Sequence, residues 1–369
     1  MSSKFQNEPF FLVSCPRSGS TMLRLMLNEH PRLRVPDESF FLTELMNKLP
    51  LNSPLSQEDK RLAFDIISNH ERWANPKFKF RAASNKKLWD TISCLKQPLL
   101  SQLIDAVFRN CTHLKNKPRW GDKTPQYISD INRLHQVFPS AKFIHLIRDG
   151  RDVCISLRTL YLNNRHKEGH VIRRFLWHAG RTIHSAAKLW HKSVEAGIES
   201  GLKLPTESYL EIHYEDLILR TEDTLKNICS FIGENYDDRM LGFYKNSSKE
   251  TMKEPEAFQP HAKTHRPPTP SDTYRWRTEM NLIEVALFES YAGKTMDRIG
   301  QTRHFRGALK FIPYNLRAFD KLRRIFIPTN QDRELLELPD FAYFLYYVLR
   351  PIRLLVKYTL ITGKRFLPT

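Results

Sequence analysis

Acidic residues are in short supply in this chain: 40 aspartates and glutamates face 58 lysines and arginines over 369 residues, a formal charge of +18. Such a surplus points to a polyanionic partner. Nucleic acid is disfavoured, because the basic residues alternate with acidic ones along most of the chain and no zinc-finger, RRM or basic-zipper pattern occurs. Cysteine is scarce too. The five present have neither framework nor ligand spacing, which argues against a disulfide scaffold and for a reducing compartment. Fourteen histidines lie scattered without an HExxH pair, so no metal site is expected. No apolar run reaches the ~20 residues needed to cross a bilayer, and repeats and low-complexity tracts are missing. Met1 to Glu8 is polar and does not read as a secretory leader. A cytoplasmic protein, with membrane-surface association allowed, is the expectation.

What the chain does contain is concentrated in two segments. From Pro9 to Pro31, an apolar strand at Phe10 to Val13 runs through Pro16-Arg17-Ser18-Gly19-Ser20-Thr21 into an apolar helix. In such a turn, backbone N–H groups and the positive end of the helix converge on an anion, and Gly19 permits close approach. The loop lacks the Gly-Lys pair of a nucleotide triphosphatase. Cys15 does not start a phosphatase loop either, because Thr21 stands where that loop needs arginine. The second segment, Ser140 to Leu157, repeats the grammar: a strand at Phe143 to Ile147, the turn Arg148-Asp149-Gly150-Arg151-Asp152, then a helix. Arg148 stands at the carboxyl end of its strand, where open α/β sheets place ligands. Ser156 follows eight residues later, about two helical turns on, so both can face one phosphate.

Together these segments resemble the sulfotransferases that use 3′-phosphoadenosine 5′-phosphosulfate (PAPS), most of all the tyrosylprotein sulfotransferases and their bacterial relatives. The matching phrases are Pro16 to Thr21, His30-Pro31 and Asp37-Glu38-Ser39. The resemblance implies an α/β three-layer P-loop-type fold with a central parallel sheet. It implies direct in-line transfer of a sulfuryl group from PAPS to a hydroxyl on a peptide tyrosine, a carbohydrate or a lipid. By the same resemblance, Arg17, Ser18, Gly19, Ser20 and Thr21 hold the 5′-phosphosulfate, while Arg148 and Ser156 hold the 3′-phosphate. Glu38 takes the place of the catalytic base, and Lys123, in Trp120 to Pro125, reaches the bridging oxygen. Arg17 is counted with these two as catalytic. A base working near neutral pH would have its pKa raised by burial or by Asp37, and Phe40, Phe41 and Leu42 are candidates for the apolar wall.

Weaker signals follow. Ser208 to Leu217 alternates like a strand and ends on Tyr214, which either flanks the adenine or is a buried structural tyrosine. Ser271 to Arg277 places Arg275 and Arg277 where the family returns a basic loop to the 3′-phosphate. The family's serine near that loop has no clear match, although Ser247, Ser248 and Ser271 are nearby. Residues 8–300 are expected to form the sulfotransferase domain, with a helical insertion at 45–118 on the acceptor side, where Trp73, Phe78, Phe80 and Trp89 either line a wall or pack. His261 to Pro270 reads as a loop over the site.

Residues 301–369 form a basic C-terminal extension with thirteen basic and five acidic residues. Its run Phe341 to Leu349 and the basic stretch after it suit a helix, packed on the domain, on a second subunit in a homodimer, or on an anionic membrane. Two other functions stay open: a P-loop kinase-like phosphotransferase, and a basic membrane- or nucleic-acid-associated binding protein with a degenerate nucleotide pocket.

Overall fold

The computed structural model describes residues 8–74, 83–112, 117–163, 178–246 and 262–305. Most of the C-terminal extension, including Phe341 to Leu349, lies outside them, as do Phe78, Phe80, Ser247, Ser248 and His261. No described helix is long and apolar enough to cross a membrane.

Five strands form one parallel sheet: β1 (Phe10–Ser14), β2 (Leu33–Arg34), β3 (Arg119–Asp122), β4 (Lys142–Ile147) and β5 (Tyr209–His213), in the spatial order β2-β3-β1-β4-β5. β1 reads FFLVS without alternation and is buried at every position, as a central strand covered on both faces must be. Phe11 stacks on Phe143 of the neighbouring strand at 5.4 Å, with Trp120 and Phe138 completing an aromatic cluster. Helices α1 (Ser20–Glu29), α2 (Leu42–Lys48), α3 (Gln57–Asn69), α4 (Asn85–Ser93), α5 (Leu100–Cys111), α6 (Gly150–Asn163), α7 (Ile183–Gly201), α8 (Tyr214–Leu219) and α9 (Leu282–Arg298) surround it.

The connectivity decides where a ligand goes. After β1 the chain leaves toward β2 and β3; after β4 it leaves toward β5. Strand order therefore reverses between β1 and β4, which pair directly with Ser14 opposite Leu146. Crevices at such a reversal, beyond the carboxyl ends of the strands, are where open α/β sheets hold ligands. The loops carrying Arg17 and Arg148 flank this one.

Between residues 45 and 118 the described stretches carry helices α2 to α5. Ser56 caps α3 in a reciprocal box with Asp59. Trp73 is buried and donates to Asn85 Oδ1 at 2.6 Å, and Trp89 packs edge-on against Phe64. Both serve packing.

One buried polar group gives the fold an acid sensitivity. His145, on β4, is fully buried, with Nδ1 2.6 Å from the Tyr209 hydroxyl. Burial, helped by His213, pulls its pKa from 6.5 to about 3. The unfolded chain then takes up a proton that the folded one refuses, so the contribution is full above pH 6.5 and is lost as pH falls toward 3. By pH 5 the loss is about 2 kcal/mol. Urea unfolding at pH 7.5 and pH 5 should show a smaller decline for His145→Gln than for the native protein; equal declines would exclude His145 as a source.

Candidate active site

Beyond β1 the backbone winds through two left-handed residues, Arg17 (φ 74°) and Gly19 (φ 96°). The Ser18 N–H donates to the Cys15 carbonyl at 3.2 Å. Helix α1 then starts at Ser20 with Gly19 as its N-cap and no side chain capping it. A helix start without a side-chain cap presents N–H donors and the positive dipole end to an anion. The hydroxyls of Ser14 and Ser18 are buried there without a hydrogen-bond partner, a condition that an arriving acceptor oxygen relieves. Gly19 is needed twice over: its φ is left-handed, and a Cβ would come within 2.4 Å of the Tyr214 ring. Burial pushes the Cys15 thiol up to about 12, so this cysteine is no nucleophile.

The second loop meets the first. Arg148, buried, donates from Nη1 to the Arg17 carbonyl at 3.3 Å and from Nη2 to Asp152 Oδ2 at 3.3 Å and the Asp272 carbonyl at 3.2 Å. Its guanidinium lies over the Tyr214 ring at 4.3 Å, and Trp190 Nε1 donates to its carbonyl at 2.9 Å. Arg17 Nε donates to Ser156 Oγ at 3.1 Å. Burial, followed by repulsion from Arg148, brings the Arg17 guanidinium down to about 10. Two cations confined in one crevice repel, and an anion between them removes that cost.

Across the sheet end, the loop after β2 brings Glu38 to Lys123 at the end of β3. Lys123 Nζ donates to Glu38 Oε1 at 2.6 Å, and Arg72 Nη2 donates to Oε2 at 3.0 Å. Burial lowers the Lys123 pKa, with Glu38 opposing. Beneath them Asp122 is buried, its carboxyl pushed up to about 7 by burial against hydrogen bonds from Ser39 and Thr124. The Ser39 hydroxyl also meets the Tyr127 hydroxyl at 2.8 Å, and the Leu42 N–H donates to that hydroxyl at 2.9 Å. This network fixes the loop bearing Glu38.

The expected surroundings of Glu38 need correcting. Phe41 and Leu42 are buried in the core, and Phe40 carries the Arg72 guanidinium at 4.6 Å. Glu38 thus stands between two cations, and Asp37 is turned to Arg24 at 3.3 Å. In the later basic loop the two arginines have different partners. Arg275 is held bidentately by Glu279 at 2.7 and 2.9 Å. Arg277 lies over Tyr274 and Trp276 and lines a separate cavity of about 480 Å³ with Asp149, Arg151 and Glu215. That cavity joins Arg277 to Asp149 and Arg151 of the Arg148 turn. The segment also meets the Arg148 turn through backbone: the Asp272 carbonyl accepts from Arg148, and the Trp276 N–H donates to Asp152 at 2.9 Å. The loop from 262 to Pro270 supplies Arg266, which clamps Asp272 with two bonds of 2.9 and 2.7 Å. Ser271 is exposed and meets only Thr269 among the described hydrogen bonds, at 2.9 Å. Arg72 and Tyr127 carried no motif that could have singled them out, while Ser39 and Asp272 stood inside singled-out phrases without a role of their own.

Comparison with known proteins fits this geometry. Residues 9–238 match the family model described as Sulfotransferase family. Protein-tyrosine sulfotransferase 2 of Gallus gallus is 22% identical over 63% of this chain and 52% of its own length. Protein-tyrosine sulfotransferase A of Caenorhabditis elegans is 22% identical over 64% of this chain and 53% of its own. The chain spans about half the length of these curated relatives. Among solved structures, the sulfotransferase domain from the curacin biosynthetic pathway superposes with a TM-score of 0.51 at 20% identity, over 81% of this chain and 99% of that one. That likeness establishes the shared fold.

Proposed function

The chain belongs to the sulfotransferase family, and we propose that it transfers a sulfuryl group from PAPS to a hydroxyl acceptor. The observation that carries this reading is the meeting of Arg17, Arg148 and Ser156 in one crevice, joined by bonds of 3.1 and 3.3 Å. PAPS has two anionic ends, and this crevice has two anion-holding loops. The partnerless buried hydroxyl of Ser18 and the uncapped start of α1 fit the 5′-phosphosulfate. Arg148 and Ser156 fit the 3′-phosphate, and the Tyr214 ring, pressed between Gly19 and Arg148, fits the adenosine between the two.

When bound, PAPS supplies the sulfuryl group and leaves as the bisphosphate PAP. Arg17 and the α1 N–H groups neutralise charge that grows on the leaving phosphate, a stabilisation larger in the transition state than before it. Lys123 does the same at the bridging oxygen. Glu38 takes the acceptor proton. Lys123 and Glu38 are bonded to each other in this structure, so they part for each to work. All these residues fall within residues 8–300, the proposed catalytic domain, and a peptide tyrosine, a carbohydrate and a lipid-linked hydroxyl are the candidate acceptors.

Calorimetry separates this reading from a kinase-like one. The protein should bind PAP at micromolar concentration without magnesium and prefer it to ATP with magnesium. The reverse preference would favour a phosphotransferase, and binding of neither would leave a charge-driven binding protein.

A further inference from the structure

Besides Lys123, the site holds a second cation that neither donor loop supplies. Arg72 belongs to the single helical turn Glu71–Ala74 on the acceptor side, 34 residues from Glu38, yet it bonds that carboxylate directly at 3.0 Å. We propose that Arg72 is a positioning residue for the base: it anchors Glu38 through Oε2 while Lys123 leaves Oε1, so that Oε1 becomes the atom that takes the acceptor proton. This rests on the reading of Glu38 as the base.

The two oxygens of Glu38 are divided between two cations, Oε1 to Lys123 and Oε2 to Arg72. Lys123 has a second task at the leaving phosphate and cannot hold Glu38 while performing it. Arg72 has a fixed seat. Its turn is tied by the Trp73 and Ala74 N–H groups to the His70 carbonyl, both at 2.9 Å, and by its own N–H to His70 Nδ1 at 3.2 Å. The adjacent Trp73 is fully buried. The Arg72 guanidinium also lies over Phe40, itself held at a left-handed φ of 59° two residues after Glu38. That orientation does not depend on Lys123. A guanidinium stays charged across the working pH range, so Glu38 keeps a countercharge after the lysine has turned away.

In the step itself, the acceptor oxygen bonds to sulfur as its proton passes to Glu38 Oε1. The bond from sulfur to the bridging oxygen breaks, its electron pair remaining on the phosphate of PAP, and Glu38 later returns the proton to water. The other charged groups near this carboxylate are Arg17, Asp37 with its partner Arg24, and Asp122 below; His70 and Glu71 flank Arg72.

The test reads the carboxylate directly and needs no acceptor. Full-length protein carrying carboxyl-labelled ¹³C glutamate is titrated by NMR in saturating PAP, and the Glu38 signal is assigned by its loss in Glu38→Gln. Arg72→Ala should raise the Glu38 midpoint by about one pH unit or more with PAP affinity unchanged, and Arg72→Lys should restore part of the shift. A midpoint unmoved in both variants overturns the proposal; if Arg72→Ala does not fold, Arg72→Met takes its place with the same expectation. Failure of the base assignment would appear separately, as native transfer rates in Glu38→Gln.

Discussion

Arg148→Ala should weaken PAP binding by about thirtyfold or more. Arg148 is buried, and its guanidinium is committed to the Arg17 carbonyl, the Asp272 carbonyl and the Asp152 carboxylate. Truncating a buried, hydrogen-bonded charge that faces an anion costs about 2–5 kcal/mol of affinity, or about thirty- to several-thousand-fold. The same change leaves the fully buried Asp152 with the Trp276 N–H as its remaining described donor, so stability falls as well. Arg148→Lys separates the two effects. Lysine keeps a charge near Asp152 but loses the planar fork, so its thermal midpoint should lie near the native one while PAP affinity still drops about tenfold. Titration calorimetry beside thermal melts reads both quantities. A folded Arg148→Ala protein that binds PAP as tightly as native would remove Arg148 from the site.

Glu38→Gln should lower the turnover rate by about 10²- to 10⁴-fold, the usual loss when a positioned base is removed, and leave PAP affinity within a few-fold of native. Glutamine keeps the shape and one acceptor oxygen for Lys123 or Arg72, so the loop held by Ser39, Asp122 and Tyr127 stays in place. It cannot take a proton. Transfer of label from radioactive PAPS to panels of peptides, glycans and glycolipids, run with native and variant protein together, reports the acceptor class and the role of Glu38. Label transfer undiminished in the variant would assign the base elsewhere.

Local grammar made the donor side legible. Phe10 to Val13 and Phe143 to Ile147 are continuous apolar runs that end in polar turns, and both form central strands ending at those turns. The eight-residue spacing from Arg148 to Ser156 survives because α6 is a regular helix from Gly150 onward. Side-chain pairing was not legible in the same way. Arg275 sits four residues before Glu279 on one helical turn, and the neighbouring carboxylate claims it. Arg72 meets Glu38 from 34 residues away along the chain, a long-range contact that leaves no local pattern. The wall anticipated around Glu38 failed for a related reason: Phe41 and Leu42 had a more apolar place to go, the core shared with Leu45 and Trp73.

Crystals grown with PAP provide the direct measurement. The 5′-phosphate should sit on the N–H groups of Gly19 to Thr21 beside Arg17, and the 3′-phosphate between Arg148 and Ser156, with the adenosine along Tyr214. PAP found instead in the cavity beside Arg277, or with its two phosphates on only one of the two loops, would contradict a single shared donor site.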